Sequence, residues 1–209
     1  MKERYIRFND MMIRAILRDE KTQTRRPVKP QPEYGENHAV SGLFGTFFHG
    51  WNIDHPAVTV KDIVKHCPFG QVGDRLWVQE AWKPTCRWGK PDSISYIRYR
   101  ADSSRCIVQH TLGGVQTDNW RPSIQMPEWA SRITLEITDV RLEKLQCMGD
   151  REARLEGVKP FGGMCATGST HLYTFRELWN SLYAAKGFGF DTNCWVWVIR
   201  FRRVGEIIK

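Results

Sequence analysis

One strongly alternating segment, Arg132–Leu145, constrains the fold of this chain more than any other feature. Its first half places apolar residues at every second position, namely Ile133, Leu135 and Ile137. Period-two alternation predicts a β-strand with one face toward a core. The phase shifts at Asp139, after which Val140 and Leu142 take the apolar positions, and a β-bulge would allow this shift. A core built on β-structure is therefore expected.

Further elements are predicted on both sides of this strand. Strand patterns cover Arg75–Trp82, about 95–101 and Cys194–Val204. Helices are expected over about 10–19, 150–156 and 175–186. Their expected caps are Asn9 or Asp10 for the first helix, Asp150 and Gly157 for the second, and the Thr174/Glu177 capping box with Gly187 for the third. Since the strands outnumber the helices and are mostly non-consecutive, we expect an α+β fold, a mixed β-barrel with peripheral short helices.

The chain of 209 residues is expected to form one domain over 1–209. Residues 33–65 differ from the rest, because glycines alternate there with aromatic residues, and they are interpreted as a long aromatic insertion. This insertion either packs on the body or covers a site as a lid. Residues 103–118 are predicted to form a polar loop.

The charge points to a polyanionic partner. The formal net charge is +8, and the chain holds nine Trp, six Tyr and ten Phe. Basic and aromatic residues together are typical of nucleic-acid binding, although charge spread evenly over the surface would give the same total. The longest apolar run, Cys194–Ile199, is too short for a membrane span of about 20 residues, and we expect no membrane partner. No signal peptide is visible, which predicts a cytoplasmic protein with reduced cysteines.

The sequence shows no motif that is typical of a cofactor site or of a metal site. No glycine-rich dinucleotide or phosphate loop occurs, so no cofactor is expected. The six cysteines show no zinc-type spacing, and a zinc site would need His66 and Cys67 with distant partners. We therefore predict no metal.

Residues with unusual local placement are the candidates for chemistry. Lys21 and Thr24 stand three apart in a stretch that must turn, and a helical or 3₁₀ turn would place both on one face. A lysine near other cations has a lowered pKa and can act as a base, with Thr24 as nucleophile. Glu156 opposes the dipole at a helix end, and Glu80 shares a strand face with apolar residues. Each of these carboxylates therefore needs a partner or a site.

Several blocks of the sequence resemble the ASCH domain family. Glu20–Arg26 resembles the G-x-K-T-x-T-x-R signature of that family. The other matching blocks are Gly73–Val78, Arg151–Gly157 and Trp195–Arg202. The longer blocks Cys67–Trp82 and Trp120–Leu135 are similar to a larger subgroup often found in prophages.

The resemblance implies a PUA-like β-barrel and a role in RNA metabolism. Small members of the family are amidohydrolases that remove the acetyl group from N4-acetylcytidine with a lysine, a threonine and a glutamate. Those roles correspond to Lys21, Thr24 and Glu156 here. Other members are described as RNA nucleases.

The sequence thus predicts a protein that binds RNA, a modified pyrimidine nucleoside or single-stranded DNA in a cleft. We expect Lys21, Thr24 and Glu156 to meet at this cleft as the catalytic residues of an amidohydrolase. The expected binding residues are Arg25, Arg26, Glu80, Trp82, Trp129 and Arg132. One alternative is a binding module without catalysis, in which Trp82 stacks on a base. Another is a metal-assisted ribonuclease that uses Glu80 with Glu156.

Overall fold

The computed structural model describes residues 1–31, 33–34, 40–41, 63–86, 95–108, 119–162 and 170–205. Three α-helices lie wholly within these ranges: α1 (Asp10–Leu17), α2 (Asp150–Leu155) and α3 (Thr170–Tyr183). The strands are β1 (Glu3–Arg7), β2 (Gln23–Pro27), β3 (Glu33–Tyr34), β4 (Val40–Ser41), β5 (Arg75–Gln79), β6 (Trp82–Cys86), β7 (Ser95–Tyr99), β8 (Arg105–Val108), β9 (Thr134–Lys144) and β10 (Trp195–Val204). The protein is therefore a mixed α/β structure with few helices.

The strands form two sheets and one very short ladder. The larger sheet has the order β1-β5-β9-β10-β2, in which β1 and β5 are parallel and the other neighbours antiparallel. The smaller sheet is the antiparallel meander β6-β7-β8, and β3 pairs with β4. Among the described residues no ladder joins β1 to β2, so the larger sheet keeps two edges and a closed barrel is not seen.

The last strand organises the core because β10 is buried on both faces. Val196 and Val198 pack beneath α3, against Phe175 and Trp179. The opposite face of β10 carries three residues that pack in the main core with α1 and β9, namely Trp197, Ile199 and Phe201. Burial on both faces explains the continuous apolar run of this strand.

The irregularity predicted in the alternating strand is present. The pairing of β9 with β10 shifts between Arg200 and Phe201, whose partners are Asp139 and Ile137, so that Thr138 is bulged out. The extra residue moves Val140 onto the buried face that Ile137 also occupies. The phase shift in the sequence was therefore a correct signal of a β-bulge.

The first helix begins at its predicted residue and ends at Leu17, whereas the predicted cap of α2 and the predicted start of α3 differ from the structure. Asn9 accepts a hydrogen bond from the Met12 backbone N–H at 2.9 Å and so caps α1. Asp150 does not cap its own helix. Its Oδ1 accepts from the backbone N–H groups of His171 and Leu172 at 2.8 and 3.0 Å, and it therefore caps α3.

With this remote cap, α3 starts earlier in the chain than the sequence predicted. The helix begins at Thr170 and not near residue 175, and Thr174 lies inside it, where its hydroxyl donates to the Thr170 carbonyl at 3.2 Å. The predicted Thr174/Glu177 capping box is therefore wrong. The expected glycine after this helix is confirmed, because Gly187 has a left-handed φ of 81°.

Two other predicted segments also differ. Arg75–Trp82 is not one strand, because the chain leaves the larger sheet after β5, passes through Glu80 and Ala81, and enters the smaller sheet as β6. Strand β8 lies within the segment predicted as the polar loop 103–118, of which 109–118 are outside the described residues. Most of the predicted insertion 33–65 is also outside them. No helix in the described ranges is long and apolar enough to span a bilayer.

Candidate functional site

The candidate site begins where the end of α2 packs against the residues that follow α1. Glu156 directly follows α2 as its C-terminal cap, and it forms an isolated β-bridge with Lys21. Gly157 follows with a left-handed φ of 77°, and a Cβ on it would lie 2.7 Å from the Cβ atoms of both Ala15 and Lys21. A residue without a side chain is therefore required for α2 to end here. This approach brings Glu156 to Lys21.

Lys21 is fully enclosed and satisfied. Its Nζ donates to the Gln23 carbonyl at 2.8 Å, to the Glu156 carbonyl at 2.9 Å and to Glu156 Oε2 at 2.9 Å. An ammonium group has three donors, and all three find acceptors. The Lys21 side chain is 0% exposed and that of Glu156 is 4% exposed. Burial lowers the pKa of Lys21 below its usual value, and the adjacent Glu156 carboxylate opposes this shift.

Arg25 joins the same buried cluster. Its Nη1 donates to Glu156 Oε1 at 3.1 Å, and its Nη2 donates to Glu143 Oε2 at 3.4 Å. The side chain of Arg25 is enclosed like that of Lys21, so Glu156 compensates two buried cations. The prediction that Arg25 contacts nucleic acid does not fit this position, because its guanidinium is engaged inside the protein.

Thr24 is buried in β2, and the shared turn predicted for it and Lys21 is wrong. Helix α1 ends at Leu17, and Gln23–Pro27 pairs with β10, where Thr24 lies opposite Ile199. The ladder with β10 holds this segment extended although the spacing permits a turn. Alternation along the strand places Thr24 and Arg26 on the face opposite Arg25.

A cleft of about 420 Å³ opens beside β2 on the side of Arg26. Its lining includes four cationic side chains and the carboxylate of Asp10. The cations are Arg7, Arg26, Arg100 and Lys186. Asp10 pairs with Arg100 at 2.6 Å, which leaves an excess of positive charge on the walls.

Arg26 is held in a fixed orientation in this cleft. Its Nη1 donates to the Tyr183 hydroxyl at 3.0 Å, and its Nη2 donates to the Arg7 carbonyl at 2.6 Å. Both acceptors are neutral, and no described carboxylate forms an ion pair with Arg26. The Arg26 guanidinium therefore has a fixed position and no counterion among the described residues.

Phe8 connects the cleft with the buried cluster. The Arg26 Cζ lies 5.3 Å from the centroid of the Phe8 ring, and the Lys21 Nζ lies 5.6 Å from it. Phe8 and Arg26 line the cleft, whereas Lys21, Thr24 and Glu156 are not among its lining residues. The structure thus brings Lys21 and Glu156 into contact, as expected, but below the cleft rather than open to it.

Glu80 is buried at the passage between the two sheets and has its own partner. Arg132 binds it with two hydrogen bonds of 2.8 Å, from Nε to Oε1 and from Nη2 to Oε2. Burial raises the pKa of Glu80, and the hydrogen bonds from Arg132 oppose this shift. Arg132 also donates to Asp102 at 2.8 Å, so both predicted binding residues form an internal ion-pair network.

Trp82 packs in the core of the smaller sheet. It is 2% exposed and clusters with Ile97, Tyr99 and Met126. The ring of Trp129 meets it edge-on at a centroid distance of 6.2 Å. The ring of Trp82 is therefore covered by protein and cannot serve as a platform for a base, whereas Trp129 is 38% exposed.

The sequence reasoning missed most of the cleft. Phe8, Tyr183, Arg7, Arg100 and Lys186 were not expected there, and β1 was not predicted at all. The alternation of Tyr5 and Arg7 with buried Ile6 and Phe8 was a usable signal for this strand.

The carboxylates predicted for a metal-assisted reaction are engaged elsewhere. Glu80 is held by Arg132, and Glu156 is held by Lys21 and Arg25. Within the described ranges no group of three or more His, Cys, Asp or Glu side chains could hold a metal ion, and this includes His66 and Cys67.

Comparisons of the chain with protein-family models, with curated proteins and with solved structures gave no match.

Proposed function

We propose that this chain is an ASCH-type protein of PUA-like architecture that binds RNA, or a modified pyrimidine nucleoside, in the cleft beside β2. The proposal depends mainly on Arg26, a cation without a carboxylate partner among the described residues, which Tyr183 and the Arg7 carbonyl hold in the cleft wall. A fixed guanidinium is suited to a phosphate or to the edge of a base.

The other lining residues support a ligand that combines negative charge with an aromatic ring. Arg7 and Lys186 add positive charge on the same walls, and Tyr183 adds aromatic surface. The volume of about 420 Å³ lies within the range usual for small-molecule sites. A nucleotide or one residue of a single strand matches both features, because bases stack on aromatic rings and phosphates bind arginine.

A second candidate function is amide hydrolysis on an N4-acylated cytidine. The observation that favours it is the contact of Lys21 with Glu156, together with the lowered pKa of Lys21. In this reaction the neutral amine of Lys21 would accept the proton of the Thr24 hydroxyl as that oxygen attacks the acyl carbon. Cytidine would leave with a proton on N4, and water would release the acid from Thr24. Since all three donors of Lys21 are engaged, the residue must first lose a proton and a hydrogen bond.

One panel of measurements tests both candidates. Binding of fluorescein-labelled 12-nucleotide single-stranded RNA, single-stranded DNA and duplex DNA is measured by fluorescence anisotropy. N4-acetylcytidine is incubated with the protein, with and without Mg²⁺, and cytidine is quantified by chromatography. Arg26→Gln is compared with Arg176→Gln, since Arg176 is an exposed arginine paired with Asp191 outside the cleft.

We expect Arg26→Gln to weaken RNA binding at least tenfold and Arg176→Gln to leave it within twofold. Equal affinities of the two variants, or no RNA binding by the unchanged protein, would refute RNA binding in the cleft. Release of cytidine that Thr24→Val abolishes in a folded protein would favour the hydrolase. Cleavage of RNA that requires Mg²⁺ would favour the ribonuclease instead.

A further inference from the structure

Strand β1 forms one edge of the larger sheet, and among the described residues it pairs with β5 alone. At the two ends of this parallel ladder, the Arg75 N–H donates to the Lys2 carbonyl at 2.9 Å, and the Phe8 N–H donates to the Gln79 carbonyl at 3.3 Å. The even-numbered residues of β1 therefore bind β5. Because successive residues of a strand direct their N–H and C=O groups to opposite sides, the odd-numbered residues direct theirs away from the sheet. These outward residues are Glu3, Tyr5 and Arg7.

The outward edge of β1 is open to solvent. The side chains of Glu3, Tyr5 and Arg7 are exposed, and Tyr5 keeps 52% of its surface accessible. Within the described ranges one contact reaches the outward main-chain groups, a hydrogen bond of 2.6 Å from Arg26 Nη2 to the Arg7 carbonyl. A carbonyl oxygen has a second lone pair and can accept once more. An open edge strand pairs readily with another chain unless its side chains prevent this.

The charges on this edge favour one particular pairing, that of β1 with a second copy of itself. Glu3 and Arg7 have opposite charges and stand at equal distances along the chain from Tyr5. When two copies of β1 run antiparallel about Tyr5, Glu3 of each copy lies directly opposite Arg7 of the other. Directly opposed unlike charges stabilise a ladder, and like charges destabilise it. A shift of two residues would break both ion pairs, and parallel pairing in register would place like charges side by side.

Aromatic rings on the outer face fit the same arrangement. The ring of Tyr5 lies 5.8 Å from that of Trp77, its directly opposed neighbour on β5, and the Arg7 Cζ lies 5.2 Å from the centroid of the Tyr5 ring. Antiparallel pairing about Tyr5 places the two Tyr5 rings opposite one another, so that a strip of four aromatic rings crosses the two-fold axis. Cross-strand aromatic pairs add to the stability of a ladder. The exposed Tyr5 ring thereby gains a covered position.

We propose that two copies of this chain form a two-fold symmetric dimer through β1, with the strands antiparallel about Tyr5. Each copy contributes the same patch, as a two-fold interface requires. Each outward residue then donates one main-chain hydrogen bond and accepts one from the other copy. Because one short strand buries little surface, the dimer is weak and depends on protein concentration. An extended peptide of another protein could add to the same edge, but it has no need of the self-complementary Glu3 and Arg7. The inference does not rest on the function proposed for the cleft.

The test uses charge exchange and measures self-association of the full chain without any ligand. Sedimentation velocity gives the dimer dissociation constant at protein concentrations from about 1 to about 200 μM, and circular dichroism confirms that each variant is folded. Glu3→Arg and Arg7→Glu each place like charges opposite one another, whereas the double variant restores unlike pairs in exchanged order. An equimolar mixture of the two single variants also restores them, because each copy then meets its complement. Arg176→Glu is the control, since Arg176 is an exposed arginine on α3.

We expect each single variant to weaken the dimer at least tenfold, and the double variant and the mixture to regain affinity to within about threefold of the unchanged protein. Arg176→Glu should have no effect. Tyr5→Thr should weaken the dimer at least fivefold, whereas Tyr173→Thr, which alters another exposed tyrosine, should not.

Three outcomes would overturn the proposal. The first is an unchanged protein that stays monomeric over the whole concentration range. The second is a dimer that neither single variant weakens, which would place the interface elsewhere. The third is a double variant and a mixture that remain as weak as the single variants, which would exclude antiparallel pairing about Tyr5. If Arg7→Glu does not fold, Glu3→Arg and the double variant decide the question, because Glu3 is exposed.

Discussion

The Lys21 ammonium donates hydrogen bonds to both the carboxylate and the main-chain carbonyl of Glu156, each at 2.9 Å, although 135 positions separate the two residues. The pair fastens the chain entering β2 to the end of α2. Because both side chains are buried, this contact stabilises the fold whether or not the two residues also take part in catalysis. The sequence predicted a catalytic pair that opens to a cleft, whereas the structure shows a buried pair.

Replacing either member should therefore destabilise the protein, and by different amounts. Glu156→Gln leaves Lys21 without a carboxylate and removes one of two from Arg25, so we expect a loss of about 3–5 kcal/mol. Lys21→Met should cost less, because Arg25 still compensates Glu156. Urea unfolding followed by tryptophan fluorescence gives both values. Equal losses, or a loss below about 1 kcal/mol in both, would contradict a buried cluster.

The buried lysine should also make stability depend on pH. Burial lowers the pKa of Lys21 below 10.5, so between the two values the unfolded chain holds a proton that the folded chain does not. Stability contributed by this group consequently rises with pH through that window. The difference in unfolding free energy between the unchanged protein and Lys21→Met should thus move in favour of the unchanged protein as the pH rises toward 10.5. A constant or falling difference would mean that the folded chain keeps the proton.

Local sequence patterns predicted the parts of the fold that depend on local rules. The bulge in β9, the Asn9 cap of α1 and the glycine that follows α3 all follow from the identities of adjacent residues. The start of α3 could not be predicted in this way, because its cap, Asp150, lies about twenty residues upstream at the beginning of α2.

The candidate site was likewise predictable only where local sequence patterns determine it. The odd position of Glu156 at a helix end indicated correctly that it has a cation as partner. The placement of Glu80 indicated that it needs a partner, but Arg132, which fills this role, was predicted only as a binding residue. The burial of the predicted site residues could not be predicted, because it depends on which strands are neighbours in the sheet. Pairing of β2 with β10 encloses Arg25 and Thr24, and the passage between sheets encloses Glu80 and Trp82.

Gly157 should not tolerate a side chain. Its φ of 77° disfavours other residues, and a Cβ would lie 2.7 Å from the Cβ atoms of Ala15 and Lys21. We expect Gly157→Ala to lose about 2 kcal/mol or more, from strain and overpacking together. Gly187→Ala is the matched control, since Gly187 has a similar φ of 81° and nothing within 4 Å of a Cβ. Equal losses in the two variants would show that φ alone matters.

Arg98 and Arg105 are directly opposite one another in the ladder of β7 and β8, and the effect of this pair of like charges on stability can be measured. Arg105→Thr removes one of two directly opposed like charges and introduces a residue that favours strands. It should raise the unfolding free energy by about 0.2–1 kcal/mol at low salt, and the gain should shrink as salt screens the repulsion. Arg105→Lys, which keeps the charge, serves as the control. A lower stability of Arg105→Thr at low salt would mean that the contact between Arg98 and Arg105 is not repulsive.

Trp82 and Trp129 should respond differently to truncation, although they touch one another. Trp82 is 2% exposed and packs among Ile97, Tyr99 and Met126, so Trp82→Ala should leave a cavity and cost about 3–5 kcal/mol. Trp129 is 38% exposed and meets Trp82 edge-on, so Trp129→Ala should uncover less packed surface and cost less than Trp82→Ala. Urea unfolding of both variants beside RNA anisotropy distinguishes a core role from a binding role. If Trp82→Ala kept full stability and lost RNA binding per folded molecule, Trp82 would be a binding residue after all, and the packing of the smaller sheet described above would have to be revised.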